Sequence, residues 1–184
     1  MRLFVALDVP EETRRALRSA VEGFRTVCRG ARWVRPEGIH VTLKFIGHVE
    51  DTGVADIQEA LSGVRGEKTF DMALRQFGFF PNEKRPRVFY VVIEAGKELG
   101  ALAGEIETQL EPLGIAKETR AFQPHLTLAR FKSNEGLPEL REKIASLPSQ
   151  DFGGGAAAEF HLFQSVLQSG GAVYTKLSTY RFSR

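Results

Sequence analysis

Residues 40–45 read HVTLKF, and residues 125–131 repeat the pattern as HLTLARF. In both stretches a histidine is followed by an apolar residue, a threonine and a leucine. Side chains alternate between the two faces of a β-strand, so His40 and Thr42 share one face, as do His125 and Thr127. If two similar halves pack about a pseudo-two-fold axis, the two pairs face each other across one cleft. The repeat therefore predicts a site with two imidazoles and two hydroxyls.

The hydrophobic period on either side of these stretches predicts an alternation of strands and helices, with four helices and about eight strands in all. Strands are predicted over residues 2–9, 39–47, 69–80, 87–95, 125–131, 158–168 and 172–182. The predicted helices carry apolar stripes at Leu17, Val21 and Phe24; at Val54, Ile57, Leu61 and Val64; at Leu99, Leu102, Ile106, Leu110 and Leu113; and at Leu137, Leu140, Ile144 and Leu147.

The connections between these elements favour antiparallel pairing inside one unit. The loop PNEKRPR at 81–87 joins two strands as a hairpin, and a second hairpin turns around SGG at 169–171. The stretch GGGAAA at 153–158 is too short for a linker between domains. We expect residues 1–184 to form a single domain.

Composition narrows the classes of function. Hydrophobic residues make up 42% of the chain and charged residues 26%, and no apolar run is long enough to cross a membrane. The first residues lack the pattern of a secretory signal, so we expect a cytoplasmic protein with no membrane partner. The net charge of +2 excludes a broad basic coat, so any contact with nucleic acid is local and directed at chain ends. Cys28 is the only cysteine, which excludes an intrachain disulfide and a multi-cysteine zinc site.

Two histidines and two threonines suit proton transfer on both sides of a phosphorus atom. A neutral imidazole can deprotonate water while an imidazolium protonates the leaving oxygen, both near neutral pH. Threonine hydroxyls can donate hydrogen bonds to the non-bridging phosphate oxygens. This chemistry requires no metal. Metal ligation by His40, His48 and His125 is an alternative, but neither a His-x-His nor an HExxH element is present to support it.

The sequence resembles the 2H phosphoesterases, which are defined by two His-x-Thr/Ser motifs, and most closely the RNA 2',3'-cyclic phosphodiesterases, also called 2'-5' RNA ligase-like proteins. The resemblance covers nearly the whole chain. It is carried by MRLFVALDVPEE at the start, RWVRPEGIHVTLKFIG around the first motif, RPRV before a central strand, FQPHLTLAR around the second motif and LFQSVLQSGGAVYTKL near the end.

The resemblance implies a bilobal α+β fold with pseudo-two-fold symmetry, in which two antiparallel sheets line a central groove and the helices lie outside. It implies hydrolysis of a terminal 2',3'-cyclic phosphate to a 2'-phosphate, without a cofactor or a metal, and leaves open a reversible 2'-5' joining of RNA. The implied substrates are RNA ends, including tRNA fragments, or small cyclic nucleotides, and we expect a monomer. A module that binds RNA ends or a nucleotide without turnover remains the alternative.

The resemblance also assigns roles to residues. His40 and His125 are the implied catalytic pair, with His125 as the base toward water and His40 as the acid toward the 3' oxygen. Thr42, Thr127 and Arg130 are the implied phosphate ligands. Strict alternation would place Arg130 on the face opposite His125, so its role requires a bulge, a twist or a strand end.

Further polar and aromatic residues have simpler interpretations. His48 and His161 lack the following x-Thr and are expected to be structural or surface residues. Lys84, Arg85 and Arg87 could contact RNA phosphates, although a solvated loop is favoured. For Phe79 and Phe80, packing in the core is favoured over stacking on bases.

Overall fold

Two antiparallel β-sheets organise the chain in a computed structural model, which describes residues 1–66, 68–169 and 171–182. The first sheet has four strands in the order β3-β1-β8-β9. These strands are β1 (Arg2–Leu7), β3 (Val41–His48), β8 (Glu159–Gln168) and β9 (Gly171–Arg181). The second sheet has five strands in the order β2-β6-β5-β4-β7. These are β2 (Ala31–Trp33), β4 (Phe70–Phe80), β5 (Val88–Ala95), β6 (His125–Phe131) and β7 (Asp151–Ala157). The predicted α+β class with two antiparallel sheets is confirmed.

Four α-helices lie among the described residues, as predicted: α1 (Glu11–Val27), α2 (Val54–Ser62), α3 (Lys97–Leu110) and α4 (Leu137–Ala145). Each presents an apolar stripe to the core, and on α1 Leu17, Val21 and Phe24 are buried. Burial of each such side chain stabilises the fold by about 1.5–3 kcal/mol. The predicted stripes of α2, α3 and α4 each end too late, because Val64, Leu113 and Leu147 lie beyond the last residues of these helices. Leu113 is 41% exposed in a short 3-10 turn. None of the described helices is long and apolar enough to cross a membrane.

The two sheets repeat one arrangement. In the first sheet β1 is followed by α1 and pairs with β3, which carries the first motif; in the second, β5 is followed by α3 and pairs with β6, which carries the second motif. β4 comes from the first half of the chain but pairs with β5 in the second sheet, and β8 comes from the second half but pairs with β1 in the first sheet. Each sheet therefore contains strands from both halves of the chain, which joins the lobes.

Two strands were not predicted from the sequence. The three residues of β2 are too few to show a period, and β7 contains GGGAA of the run GGGAAA, whose residues have low β propensity. β7 forms because its backbone pairs with β4, where Gly154 lies opposite Ala73. Both predicted hairpins are present. In the second, Gly170 of the predicted SGG turn lies outside the described residues.

Candidate active site

The two motif strands share an irregularity immediately after their threonines. On β3, Ala6 of β1 pairs with Thr42 but the next residue, Val5, pairs with Lys44, so Leu43 is an extra residue. On β6, Tyr90 pairs with Thr127 and Phe89 with Ala129, so Leu128 is the extra residue. Such a bulge reverses the alternation of faces beyond it.

The bulges decide which side chains reach the cavity. Leu128 and Ala129 are consecutive buried residues, and Arg130 beyond them is exposed and lines the same cavity as Thr127. Phe45 occupies the corresponding place beyond the bulge of β3. The sequence prediction required a bulge to bring Arg130 to the site, and the structure has one at Leu128.

Each motif histidine is held by the same local hydrogen bond. Nδ1 of His40 lies 2.7 Å from the carbonyl oxygen of Gly38, and Nδ1 of His125 lies 2.7 Å from that of Gln123. Because a carbonyl oxygen can only accept, Nδ1 carries the proton in both rings. Nε2 is therefore the atom of each imidazole that is left to take up or give away a proton.

Aromatic rings flank both imidazoles. Phe4 stacks on His40 with a centroid distance of 4.6 Å, and the edge of Tyr174 meets it at 5.1 Å. Phe80 and Tyr90 pack edge-on against His125 at 5.0 and 5.4 Å. The expectation that Phe80 belongs to the core is wrong, since it lies against His125, whereas Phe79 does pack on the core residue Phe89. These rings restrict the orientation of both histidines.

Gly38, which supplies the carbonyl that holds His40, has no room for a side chain. A Cβ at this position would lie 2.8 Å from the ring of Tyr174. A glycine therefore allows the turn at residues 36–38 to pack under Tyr174 and places His40 just ahead of β3.

A cavity of about 320 Å³ lies between the two sheets, at the low end of the range for small-molecule sites. His40, Thr42, Thr127 and Arg130 line it together. β3 and β6, which supply three of these residues, approach within 8 Å between Cα atoms although they belong to different sheets. His125 begins β6 two residues before Thr127 and is not one of the described residues that line the cavity.

The pKa of His40 is lowered from 6.5 to about 4. Burial is the main cause, since it disfavours the charged imidazolium. The hydrogen bond to Gly38 and the charge of Asp8 oppose this effect, while Arg14 adds to it. His40 is therefore neutral near pH 7 when no anion is bound.

Several lining residues were not singled out from the sequence. They are Arg2, Phe4, Arg32, Arg35, Phe45 and Tyr174. Arg32 and Arg35 lie in RWVRP just ahead of the first motif, and Tyr174 lies in GGAVYTKL. Both stretches are among those that carry the resemblance to the 2H phosphoesterases, and this was the signal in the sequence that could have pointed to these residues. Residues so far apart along the chain meet only when β1, β2 and β9 assemble.

His161 is a structural residue, as expected. It is 1% exposed, with Nδ1 3.0 Å from the hydroxyl of Thr179 and Nε2 3.2 Å from Nζ of Lys176. Lys176 also donates to Asp8 at 2.8 Å, and Nε2 of His161 lies 3.4 Å from Oδ2 of Asp8. The contact with His161 first, and that with Lys176 as well, lower the pKa of the Asp8 carboxyl. The network joins the end of β1 to the β8–β9 hairpin behind His40. His48 is 76% exposed and is a surface residue.

The loop between β4 and β5 is a solvated turn apart from the cavity. The amide groups of Lys84 and Arg85 each donate to Oδ1 of Asn82 at 3.1 Å, and both side chains are exposed. Arg85 and Arg87 line a separate, shallow cavity of about 200 Å³ with Lys132. Among residues 1–66, 68–169 and 171–182, no group of three or more His, Cys, Asp or Glu is arranged to hold a metal ion.

Two antiparallel sheets, each with a His-x-Thr strand bulged in the same place beside a shared cavity, define the class of the 2H phosphoesterases. The family model described as LigT like Phosphoesterase matches residues 7–90 and 92–174, and the chain belongs to this family. Each matched segment contains one of the two motifs.

Named relatives cover nearly the whole chain. An RNA 2',3'-cyclic phosphodiesterase of Archaeoglobus fulgidus is 33% identical over 98% of this chain and 99% of its own. One of Thermus thermophilus is 38% identical over 98% of this chain and 89% of its own. The crystal structure of a Thermus thermophilus protein called TT0787 superposes with a TM-score of 0.82 at 34% identity, over 99% of this chain and 98% of that one.

Proposed function

We propose that this protein hydrolyses terminal 2',3'-cyclic phosphates on RNA to 2'-phosphates with His40 and His125 as its proton carriers. The observation that carries the proposal is the matched pair of motif strands, in which each histidine is fixed through Nδ1 and each threonine precedes a bulge beside the cavity. The relatives named RNA 2',3'-cyclic phosphodiesterase support the choice of substrate.

In the proposed reaction, Nε2 of His125 takes a proton from water as the water oxygen attacks phosphorus. The bond from phosphorus to the 3' oxygen breaks, and Nε2 of His40 gives its proton to that oxygen. Thr42, Thr127 and Arg130 donate to the non-bridging oxygens, where negative charge is held in the transition state. The 2' oxygen keeps the phosphate, His125 ends as the imidazolium and His40 ends neutral.

The acid role of His40 requires a proton that the free protein does not hold near pH 7, because burial lowers its pKa to about 4. An anionic phosphate beside the ring favours the imidazolium and raises this pKa. We therefore propose that the substrate itself restores the charge of His40, so that binding is accompanied by proton uptake. The proposed enzyme acts as a monomer in the cytoplasm.

Incubation of the protein with an oligonucleotide that ends in a 2',3'-cyclic phosphate tests the proposal directly. We expect a product that ends in a 2'-phosphate, and a 3'-phosphate product would show that the acid and base are reversed in space. In the same assay, RNA halves with a 5'-hydroxyl and a cyclic phosphate test whether 2'-5' joining occurs, with the 5'-hydroxyl in place of water as the nucleophile.

Replacement of each histidine tests the two-histidine mechanism. A positioned acid or base contributes about 10²–10⁴ in rate, so His40→Ala and His125→Ala should each lower kcat at least about a hundredfold. His48→Ala, at a surface histidine, is the matched control. Near-normal turnover by both variants would contradict the mechanism. If wild type binds the RNA end but hydrolyses none of it, the protein is a module that binds RNA ends and the proposed enzymatic function is wrong.

A further inference from the structure

The cavity carries more positive charge than one cyclic phosphate needs. Four arginines line it, Arg2, Arg32, Arg35 and Arg130, and none of its described lining residues is acidic. A terminal cyclic phosphate carries a single negative charge. With Arg130 and the two threonines assigned to that group, three arginines remain without a role in the reaction.

Two of the four arginines, Arg32 and Arg130, are placed where their charges destabilise the sheet. Arg32 on β2 lies directly opposite Arg130 on β6 in the antiparallel ladder. Like charges that face each other across two strands destabilise a sheet. An anion bound between or beside the two guanidinium groups would offset this repulsion.

The third arginine converges on the same place. A Cβ at Gly171 would lie 3.5 Å from Nε of Arg35 and 4.0 Å from Nη2 of Arg32. Gly171 itself has a φ of +123°, which favours glycine, and it leaves the backbone of β9 open beside both guanidinium groups. The two side chains thus share one small region at the start of β9.

Arg2 approaches the cavity from the other sheet. Its guanidinium carbon lies 4.9 Å from the centre of the Phe45 ring, which is a cation–π contact. Tyr174 lies near arginines of both sheets. Burial raises the pKa of its phenol, and the charges of Arg130, Arg2 and Arg32 oppose this effect. The arginines therefore surround one cavity, with Arg2 from the first sheet and the others from β2, the segment after it and β6.

We propose that Arg2, Arg32 and Arg35 form a second anion subsite, which binds the phosphodiester that precedes the terminal nucleotide of the substrate. This inference rests on the proposed function and extends it. The site selects an oligonucleotide end over a cyclic mononucleotide, because only the oligonucleotide presents a second phosphate while the first occupies Thr42, Thr127 and Arg130.

Three substrates separate this proposal from simpler ones. They are adenosine 2',3'-cyclic phosphate, the dinucleotide of adenosine with a 2',3'-cyclic phosphate end, and the same dinucleotide with a neutral methylphosphonate in place of its internal phosphodiester. We expect kcat/KM to be at least about tenfold higher for the charged dinucleotide than for the other two, since charge-assisted hydrogen bonds are among the strong ones. Equal values for the charged and neutral dinucleotides would overturn the proposal.

Arginine variants assign the effect to the subsite. Arg32→Ala and Arg35→Ala should each reduce the preference for the charged dinucleotide over the neutral one. Each should also flatten the salt dependence of kcat/KM for the charged dinucleotide, because salt screens the attraction between an exposed arginine and a phosphate. Arg25→Ala, an exposed arginine on α1, is the matched control.

Two other outcomes have distinct meanings. If the variants lower kcat/KM by the same factor for all three substrates, the arginines serve the reacting phosphate and the second subsite is wrong. Failure of the proposed function looks different, because then no cyclic phosphate is hydrolysed by wild type.

Discussion

The lowered pKa of His40 predicts a specific dependence of stability on pH. The folded protein holds this pKa at about 4, whereas an unfolded histidine titrates near 6.5. Above pH 6.5 the ring is neutral in both states, so its titration does not change the free energy of unfolding. Below pH 6.5 the unfolded chain takes up a proton that the folded protein refuses, so stability falls until the folded ring also titrates. The loss is about 2 kcal/mol at pH 5 and about 3 kcal/mol at pH 4.

Urea unfolding of wild type and His40→Gln at pH 7, 6, 5 and 4 measures this effect. The glutamine cannot titrate, so the difference in unfolding free energy between the two proteins should shift by about 3 kcal/mol in favour of the variant from pH 7 to pH 4. His48→Gln, the same replacement at an exposed histidine, is the matched control. NMR titration of the imidazole signals gives the pKa values directly, and a value near 6.5 for His40 in the free protein would refute the reasoning.

Saturation with inorganic phosphate should raise the measured pKa of His40, because the bound anion favours the imidazolium. This result would support the acid role that the resemblance implies. An unchanged pKa in a protein shown to bind phosphate would mean that the anion lies away from His40, and the acid would have to be sought elsewhere.

Three further predictions concern the reaction and the fold. Hydrolysis should survive thorough chelation with EDTA, because the protein supplies both proton carriers; loss of activity with rescue by one divalent ion would favour a metal mechanism. Asp8→Asn should lower the pKa of His40 further, because the charge of Asp8 raises it. The same variant should be less stable than wild type at pH 7, because contacts with His161 and Lys176 hold the pKa of the Asp8 carboxyl below its ordinary value. Wild type should lose this contribution of Asp8 to stability as the pH falls below the ordinary carboxyl range. Gly154→Ala should destabilise the protein by about 3 kcal/mol, because the new Cβ would lie 2.0 Å from the carbonyl oxygen of Met72. Gly104→Ala, whose Cβ would have no atom within 4 Å, should stabilise α3 by about 0.5–1 kcal/mol. Equal shifts of the thermal unfolding temperature in the two variants would contradict this packing.

The sequence by itself determined the α+β class, the four helices and the two motif strands. Periodicity is a local property, so the stripe of Leu17, Val21 and Phe24 predicts a helix whatever lies around it. The pairing of a histidine with a threonine two positions later also follows from local strand geometry. For the same reason the residues of both motifs could be named before any contact was known.

Tertiary structure decided the features that depend on pairing between distant residues. The run GGGAAA became β7 only because β4 offers it a backbone ladder, and Arg130 reaches the cavity only because β6 bulges against β5. The arginine cluster and the lowered pKa of His40 depend on distances between strands that are far apart in the chain. Bulges, burial and charge convergence are set by what packs alongside each strand, and a single stretch of sequence does not specify its neighbours.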